Sequence, residues 1–218
     1  MKKILLVLLF YFISIHIYAS ELKFEKMLRG LNSPWSLSFL DKENIIFTEK
    51  SGNLYTFNLK NKEISIINHN LNVLDYGQGG LLDVLYSNGV VYISYSEKRG
   101  NPDKKSDWAT STSVAKGQFN KNRIKFNNIL RAEPPIDSMY HFGSRLAIKD
   151  KYLFISAGER GEGMIAQDAS KHPGSIIRIN LDGSIPKDNP KFKSKKKWLP
   201  EIYQIGVRNP QGMALSAF

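Results

Sequence analysis

The chain has 218 residues, 42% of them hydrophobic and 11% aromatic, enough to build a sizeable core in one large domain. It contains no cysteine, which excludes disulfides, thiol catalysis and Cys-based metal sites. The formal net charge of +11 would suit nucleic acid or an anionic surface. The lysines are dispersed, however, except for the run at 191–197, and no recognition helix or RNA-binding motif accompanies them. We therefore predict a solvated basic loop and no nucleic-acid partner.

Residues 1–19 are predicted to form a secretory signal peptide. Two lysines precede an apolar run at 4–17, and Ala19 offers a cleavage point before a polar segment. The run is short for a membrane span, although an uncleaved N-terminal anchor is the alternative. We expect export to a bacterial periplasm, with no stable membrane insertion once the signal is removed.

From residue 33 onward, short apolar or alternating runs are separated by turns rich in Gly, Asn and Asp. This pattern is typical of an all-β protein. Three units resemble one another, and each begins with three predicted strands. The strands lie at 35–39, 45–49 and 54–57, at 81–85, 90–95 and 113–119, and at 145–148, 152–156 and 175–179. Segments 63–67 and 123–126 are predicted as the outer strands of the first two units, and a fourth unit begins at 212–215.

A unit of three or four antiparallel strands that recurs roughly every 45 to 70 residues predicts a β-propeller. A sandwich or a barrel could use the same strands but would not require the repeat. We expect the chain to supply about three blades and the start of a fourth, as the N-terminal part (22–218) of a longer protein whose later blades are missing here.

Alignment of the innermost strands puts Asn32, Gln78, His141 and Arg208 at one equivalent position, a few residues before each strand. In a propeller these connections converge on the central axis, so an amide, an imidazole and a guanidinium would face one polar pocket. His141 is the one group of this set that titrates near neutral pH, which suits a general base. The alternative is a histidine that caps a strand or bonds a backbone carbonyl.

Other residues suit supporting roles. Glu159 follows the strand at 152–156 and could accept a hydrogen bond from the imidazole of His141, or it could simply pair with Arg160. Arg208 and Asn209 offer a cation and amide donors for an anionic ligand. No His/Asp/Glu set has the spacing of a zinc site, and no Gly-x-Ser-x-Gly motif is present.

Six motifs together resemble the soluble quinoprotein glucose/sorbosone dehydrogenase family, particularly its periplasmic aldose sugar dehydrogenases. The likeness runs from about Leu22 to the end of the chain. The motifs are Gly30-Leu-Asn-Ser-Pro-Trp-Ser-Leu37, Gly77-Gln-Gly-Gly-Leu-Leu-Asp83, His141-Phe-Gly-Ser-Arg-Leu146, Ala166-Gln-Asp168, Arg178-Ile-Asn-Leu-Asp-Gly-Ser184 and Gly206-Val-Arg-Asn-Pro-Gln-Gly212. The resemblance implies a six-bladed propeller that carries pyrroloquinoline quinone (PQQ) and calcium and oxidises the anomeric carbon of aldoses to a lactone.

The resemblance also implies roles for single residues. His141 matches the base that takes the proton of the sugar hydroxyl while hydride passes to the quinone. Glu159 stands where the family usually has Asp, and it would orient that histidine. Gln78, Arg208 and Asn209 match residues that contact the quinone, with Arg208 near its reactive carbonyl and so part of the catalytic set. Gln167 matches a polar residue on the substrate side.

The calcium ligands of the family are expected beyond residue 218, so residues 1–218 alone are expected to bind PQQ weakly or not at all and to be inactive. The preferred aldose and the electron acceptor do not follow from the residues. A propeller that binds a carbohydrate or a protein partner without catalysis is the alternative function. A basic protein that binds anionic surfaces is a third.

Overall fold

The computed structural model describes residues 22–100, 109–191 and 197–216. The predicted signal peptide at 1–19 lies outside them, as does most of the basic run. Strands form nearly all the regular structure, and the described residues contain no α-helix, only a 3-10 helix at Gly163–Gln167. The prediction of an all-β protein is therefore confirmed. None of these residues belongs to a helix long and apolar enough to cross a membrane.

Of the fourteen strands in the described residues, twelve form three four-stranded antiparallel sheets, each arranged with its strands in chain order. The first sheet comprises β1 (Pro34–Phe39), β2 (Asn44–Glu49), β3 (Leu54–Asn58) and β4 (Ile64–Ile66). The second comprises β6 (Leu81–Ser87), β7 (Val90–Lys98), β8 (Thr110–Gln118) and β10 (Asn127–Arg131). The third comprises β11 (Gly143–Lys149), β12 (Tyr152–Ala157), β13 (Ser175–Asn180) and β14 (Ile202–Ile205).

The sheets pack in series, with β6 in contact with both β1 and β11. Alternating side chains of each sheet meet those of the next. One core lies between the first two sheets around Leu54, Ile93 and Tyr95, and a second lies between the last two around Leu153 and Ile177. Serial stacking of this kind is the arrangement of propeller blades and differs from a two-sheet sandwich or one closed barrel. The count of six blades remains a prediction.

The outer strand of the second sheet was predicted wrongly. Segment 123–126 alternates as a strand does, but β9 (Arg123–Ile124) instead pairs in parallel with β5 (Asn68–His69). Ile124 and Phe126 are buried in the core between the first two sheets, so their alternation reflects packing over the sheet. The true outer strand is the next segment, β10, which pairs with β8.

Two features of the later chain also differ from expectation. The outer strand of the third sheet, β14, lies more than twenty residues after β13 and has only four residues, too short a run to carry a clear periodic pattern. Segment 212–215 was predicted to be a strand, but it has no strand structure. A strand requires a hydrogen-bonded neighbour, and no pairing with another described segment is recorded for these residues.

Candidate active site

The site is organised by the turn that leads into β11. His141 adopts a left-handed backbone conformation with φ of 50°, and Gly143 (φ 66°) and Ser144 (φ 81°) follow in the same region. For residues other than glycine this conformation costs on the order of 1 to 3 kcal/mol, and it persists only where surrounding contacts enforce it. The pairing of β11 with β12 is irregular between Gly143 and Leu146, which separates the turn from the regular ladder.

Side chains and backbone from four other segments hold this turn. The backbone N–H of His141 donates to Gln78 Oε1 at 2.8 Å, and that of Gly143 donates to Asn209 Oδ1 at 3.0 Å. The carbonyl of Phe142 accepts from Thr112 Oγ1 at 2.8 Å and from the Gly158 N–H at 3.1 Å. The turn is thus fixed on both sides of the histidine.

Gly158 is required by this packing. A Cβ atom at that position would lie 1.9 Å from the carbonyl oxygen of His141, far inside any tolerable contact. Two glycines beside Gln78 have a similar reason. A Cβ at Gly77 would lie 2.5 Å from the Met139 side chain, and one at Gly79 would lie 2.7 Å from Ser96 Oγ. Both glycines therefore allow close packing of the protein itself beside Gln78.

The imidazole of His141 meets the carboxylate of Glu159. His141 Nδ1 is hydrogen-bonded to Glu159 Oε1, and the second oxygen, Oε2, accepts the Gly163 N–H at 2.6 Å. The side chains are 13% and 4% exposed, respectively. Because an ionised carboxylate only accepts, Nδ1 carries a proton and Nε2 of the neutral ring has a lone pair available.

Glu159 is held in its ionised form. Burial alone would raise its pKa, but the hydrogen bonds from His141 and Gly163, with the positive charge of Arg208, outweigh burial and lower the pKa. The backbone N–H of Glu159 also donates to the carbonyl of Arg208 at 2.8 Å. The carboxylate is therefore an anion beside the imidazole at neutral pH.

The alternative pairing of Glu159 with Arg160 is not the one observed. The Arg160 side chain is buried and donates to Ser138, Tyr140 and Thr110 rather than to the neighbouring carboxylate. Among the described contacts, the carboxylate of Glu159 has His141 and Gly163 as its partners.

Gln167 and Arg208 border one small cavity with Glu159. The cavity has a volume of about 200 Å³, and its wall includes Gly206, Val207 and the 3-10 helix. Gln167 Nε2 lies 3.4 Å from the position that a Cβ of Gly206 would occupy. The structure thus brings the predicted substrate-side amide to a cavity that Glu159 also lines.

The side-chain NH₂ groups of Gln78 and Asn209 remain available to donate hydrogen bonds to a ligand. The oxygens of Gln78 and Asn209 are both used by backbone N–H groups of the His141 turn, and the described residues include no acceptor for either NH₂ group. The guanidinium of Arg208 is exposed and likewise has no hydrogen-bonded partner among the described side chains. Three sets of donors around one histidine suit a ligand rich in carbonyl and carboxylate oxygens, which is the chemistry of PQQ.

Asn32, the remaining residue of the predicted set, is not linked to the His141 turn by the described contacts. The backbone N–H of Asn32 donates to Glu49 Oε1 at 2.6 Å. In the described ranges no group of three or more His, Cys, Asp or Glu residues could hold a metal ion. The calcium ligands that the resemblance implies are expected beyond residue 218.

Arg160 and Asp83 were missed as site-supporting residues. Asp83 is buried and accepts hydrogen bonds from the Leu146 N–H at 2.7 Å and from Arg145 Nη1 at 2.8 Å, and Ser36 Oγ also bonds it. It therefore joins the inner strands of all three sheets. An isolated Asp in an apolar strand was the one sequence signal for this position. Arg160 lies in a polar, glycine-rich loop, where an arginine is expected to be exposed.

Comparison with known proteins identifies the family. The family model described as Glucose / Sorbosone dehydrogenase matches residues 31–218, and the chain belongs to this family. Aldose sugar dehydrogenase YliI from Escherichia coli (strain K12) is 34% identical over 196 residues, which cover 85% of this chain and 51% of the relative. Quinoprotein glucose dehydrogenase B from Acinetobacter calcoaceticus is 28% identical over 226 residues, covering 87% and 45%.

Among solved structures, a glucose dehydrogenase superimposes with a TM-score of 0.80 at 33% identity, covering 89% of this chain and 57% of the other. The chain spans about half the length of the curated relatives it matches. The predicted family is confirmed by these comparisons.

Proposed function

We propose that this chain carries the proton acceptor and part of the cofactor site of a PQQ-dependent dehydrogenase that oxidises aldoses at the anomeric carbon to lactones. The single observation that carries the proposal is the hydrogen bond between His141 and Glu159, inside a turn fixed by Gln78 and Asn209. Membership of the family, and the names of an aldose sugar dehydrogenase and a quinoprotein glucose dehydrogenase among its relatives, support the reaction class.

In this mechanism His141 acts as the general base. Nε2 accepts the proton of the sugar C1 hydroxyl, because Nδ1 is already committed to Glu159. The anionic Glu159 stabilises the imidazolium that forms and keeps the ring in the tautomer with Nε2 unprotonated. Its two hydrogen bonds, from His141 and from the Gly163 N–H, leave the carboxylate little freedom to rotate. Removal of the proton from the sugar is thus assigned to His141 and Glu159, which are held in a fixed relative orientation.

Bound PQQ would supply the acceptor for the hydride that leaves C1. Gln78 and Asn209 would direct their NH₂ groups, and Arg208 its guanidinium, to the oxygens of the cofactor. A cation near a carbonyl oxygen favours negative charge on that oxygen, which is the role proposed for Arg208. Gln167, which lines the same cavity as Glu159, is proposed to hydrogen-bond the hydroxyl groups of the sugar.

The proposal extends to the cellular setting. The N-terminal pattern at 1–19 supports export, so we propose that the reaction takes place in a periplasm, with electrons passed to an acceptor there. Since the matched relatives are about twice as long as this chain, we propose that the chain works as part of a longer natural protein, and activity is to be measured on that protein.

The decisive experiment removes the imidazole. The protein is reconstituted with PQQ and calcium, and quinone-dependent dye reduction is measured with a panel of aldoses. His141→Ala is expected to lower kcat by about 10²- to 10⁴-fold. His69→Gln is the matched control, because His69 Nε2 bonds the carbonyl of Gly52 at 2.7 Å, away from the turn. Full activity in His141→Ala, or sugar binding without oxidation by the parent protein, would overturn the proposal.

A further inference from the structure

Arg160 is a buried cation without an acidic partner. Its residue exposure is 3%, and burial lowers the pKa of its guanidinium to about 10. No described carboxylate forms an ion pair with it, although Glu159 is its neighbour in sequence. Buried charges are normally paired with an opposite charge. The groups that contact this guanidinium in place of a carboxylate therefore indicate its role.

Four hydrogen bonds satisfy the guanidinium. Nε donates to the carbonyl of Tyr140 at 3.0 Å, and Nη2 donates to the carbonyl of Ser138 at 2.5 Å. Nη1 donates to the carbonyl of Thr110 at 2.8 Å, and Nη2 also donates to its Oγ1 at 2.7 Å. The guanidinium therefore ties the segment just before His141 to the start of β8.

The same group supports the residue after the histidine. Arg160 Cζ lies 3.7 Å from the ring centroid of Phe142, which is cation–π contact with a desolvated ring. The backbone N–H of Arg160 donates to the carbonyl of His141 itself at 3.3 Å. Contacts of one residue thus surround His141 on both sides, at a turn whose left-handed conformation needs external support.

We propose that Arg160 is a positioning residue for His141, acting through the Ser138–Phe142 backbone and never on the substrate. Because a planar guanidinium spans several acceptors and stacks on a ring at once, lysine cannot replace it. The inference rests on the proposed function for its kinetic consequence, but the placement of the His141 ring is measurable without any reaction.

The first test is NMR of the histidine side chains in the chain itself. His141 signals are assigned with His141→Gln and followed through a pH titration in the parent and in Arg160→Lys. Glu159, Arg208 and Tyr140 are the titratable or charged groups around the ring, and they are unchanged in this variant. We expect the His141 nitrogen shifts and titration curve to change in Arg160→Lys, while those of His69 and His172 stay as they are.

Arg178→Lys is the matched control. Arg178 is also buried and stacks on Tyr152 at 4.5 Å, and it bonds Asn189 in the third sheet without touching the turn. It should lower thermal stability yet leave the His141 signals in place. If Arg160→Lys does not fold, Thr110→Val removes a single acceptor of the guanidinium and should shift the same signals by a smaller amount.

Kinetics on the reconstituted natural protein provide the second readout. Arg160→Lys is expected to reduce kcat roughly tenfold or more, with KM for the aldose changed less than about threefold. His141 signals and kcat that respond no more than in Arg178→Lys would overturn the inference. If His141→Ala proves fully active, the proposed function fails, and the NMR comparison still decides the positioning role.

Discussion

Nδ1 of His141 is hydrogen-bonded to Oε1 of Glu159, and this contact joins the turn before β11 to the loop after β12. The two residues are eighteen positions apart in the chain and meet because β11 and β12 are antiparallel neighbours in the third sheet. The sheet brings the two loops together, and the hydrogen bond determines which ring nitrogen can receive a proton.

Two replacements of Glu159 should distinguish the effect of its negative charge on activity from the effect of its side-chain length. Glu159→Gln keeps the shape but loses the anion that stabilises an imidazolium, so kcat is expected to fall by about 10²-fold or more. Glu159→Asp keeps the charge and shortens the side chain by one methylene, so it should retain more activity than Glu159→Gln. The measurement is dye reduction by the reconstituted natural protein. Equal activity in parent and Glu159→Gln would contradict the role assigned to the carboxylate.

Asn209 has two separable functions, which a pair of variants can resolve. Asn209→Asp retains an oxygen for the Gly143 N–H but loses the NH₂ donor and adds negative charge beside an anionic cofactor. We expect PQQ affinity to fall about tenfold or more, with the His141 NMR signals unchanged. Asn209→Ala removes the oxygen too, so both affinity and the His141 signals should change. Asn209→Asp with parental affinity, measured by PQQ titration, would exclude this amide from the cofactor site.

Strands β2, β7 and β12 were predictable because each is a short run rich in Ile, Val, Phe and Tyr between turns, and most of their residues are buried. Segment 123–126 shows where such reasoning fails. Its alternation is real, but Ile124 and Phe126 fill the core between two sheets, and periodicity does not distinguish a strand in a sheet from a segment packed across one.

The site was predictable to a similar extent. His141, Gln78 and Arg208 could be linked through the repeat, since equivalent loops of successive sheets lie at one end of the fold. The contacts of Arg160 with Ser138, Tyr140 and Thr110 could not, because three of the four are made to backbone carbonyls. Any residue has a backbone carbonyl, so no residue type in the sequence marks such a partner.

Stability in acid should depend on Glu97. Burial raises the pKa of this carboxyl, but hydrogen bonds from Arg131 and Ser113 and nearby positive charge outweigh it, so the pKa is lowered. A carboxyl with a lowered folded-state pKa stabilises the fold above its unfolded pKa, and this contribution is lost as pH falls through the folded-state pKa. At pH 7 the free energy of unfolding of Glu97→Gln is expected to be about 1.5 to 3 kcal/mol lower than that of the parent protein.

The free energy of unfolding of Glu97→Gln should also change less between neutral and acidic pH than that of the parent. Urea denaturation at a series of pH values measures both quantities. Glu63→Gln is the control, since Glu63 is exposed and bonds only Asn61 at 3.3 Å among the described side chains. An acid dependence in Glu97→Gln as steep as in the parent would show that other carboxylates dominate.

Asp83 should be the strongest single link between the three sheets. It lies on β6 and is bonded to Ser36 on β1 and to Arg145 and Leu146 on β11. Burial raises its pKa, and the hydrogen bonds from Ser36 and Leu146, with the charge of Arg145, offset only part of that effect. Loss of one partner from a buried, hydrogen-bonded pair leaves the other uncompensated, so Asp83→Ala is expected to lower the free energy of unfolding by about 3 to 5 kcal/mol.

Asp75→Ala provides the comparison for this last prediction. Asp75 pairs with Lys50 at 3.7 Å, and its side chain is 47% exposed, so its loss should cost less than about 1 kcal/mol. Both variants are compared by urea denaturation at pH 7. A loss for Asp83→Ala no larger than for Asp75→Ala would mean that apolar packing alone aligns the inner strands. A loss several times larger would show that one carboxylate keeps β1, β6 and β11, and with them the His141 turn, in register.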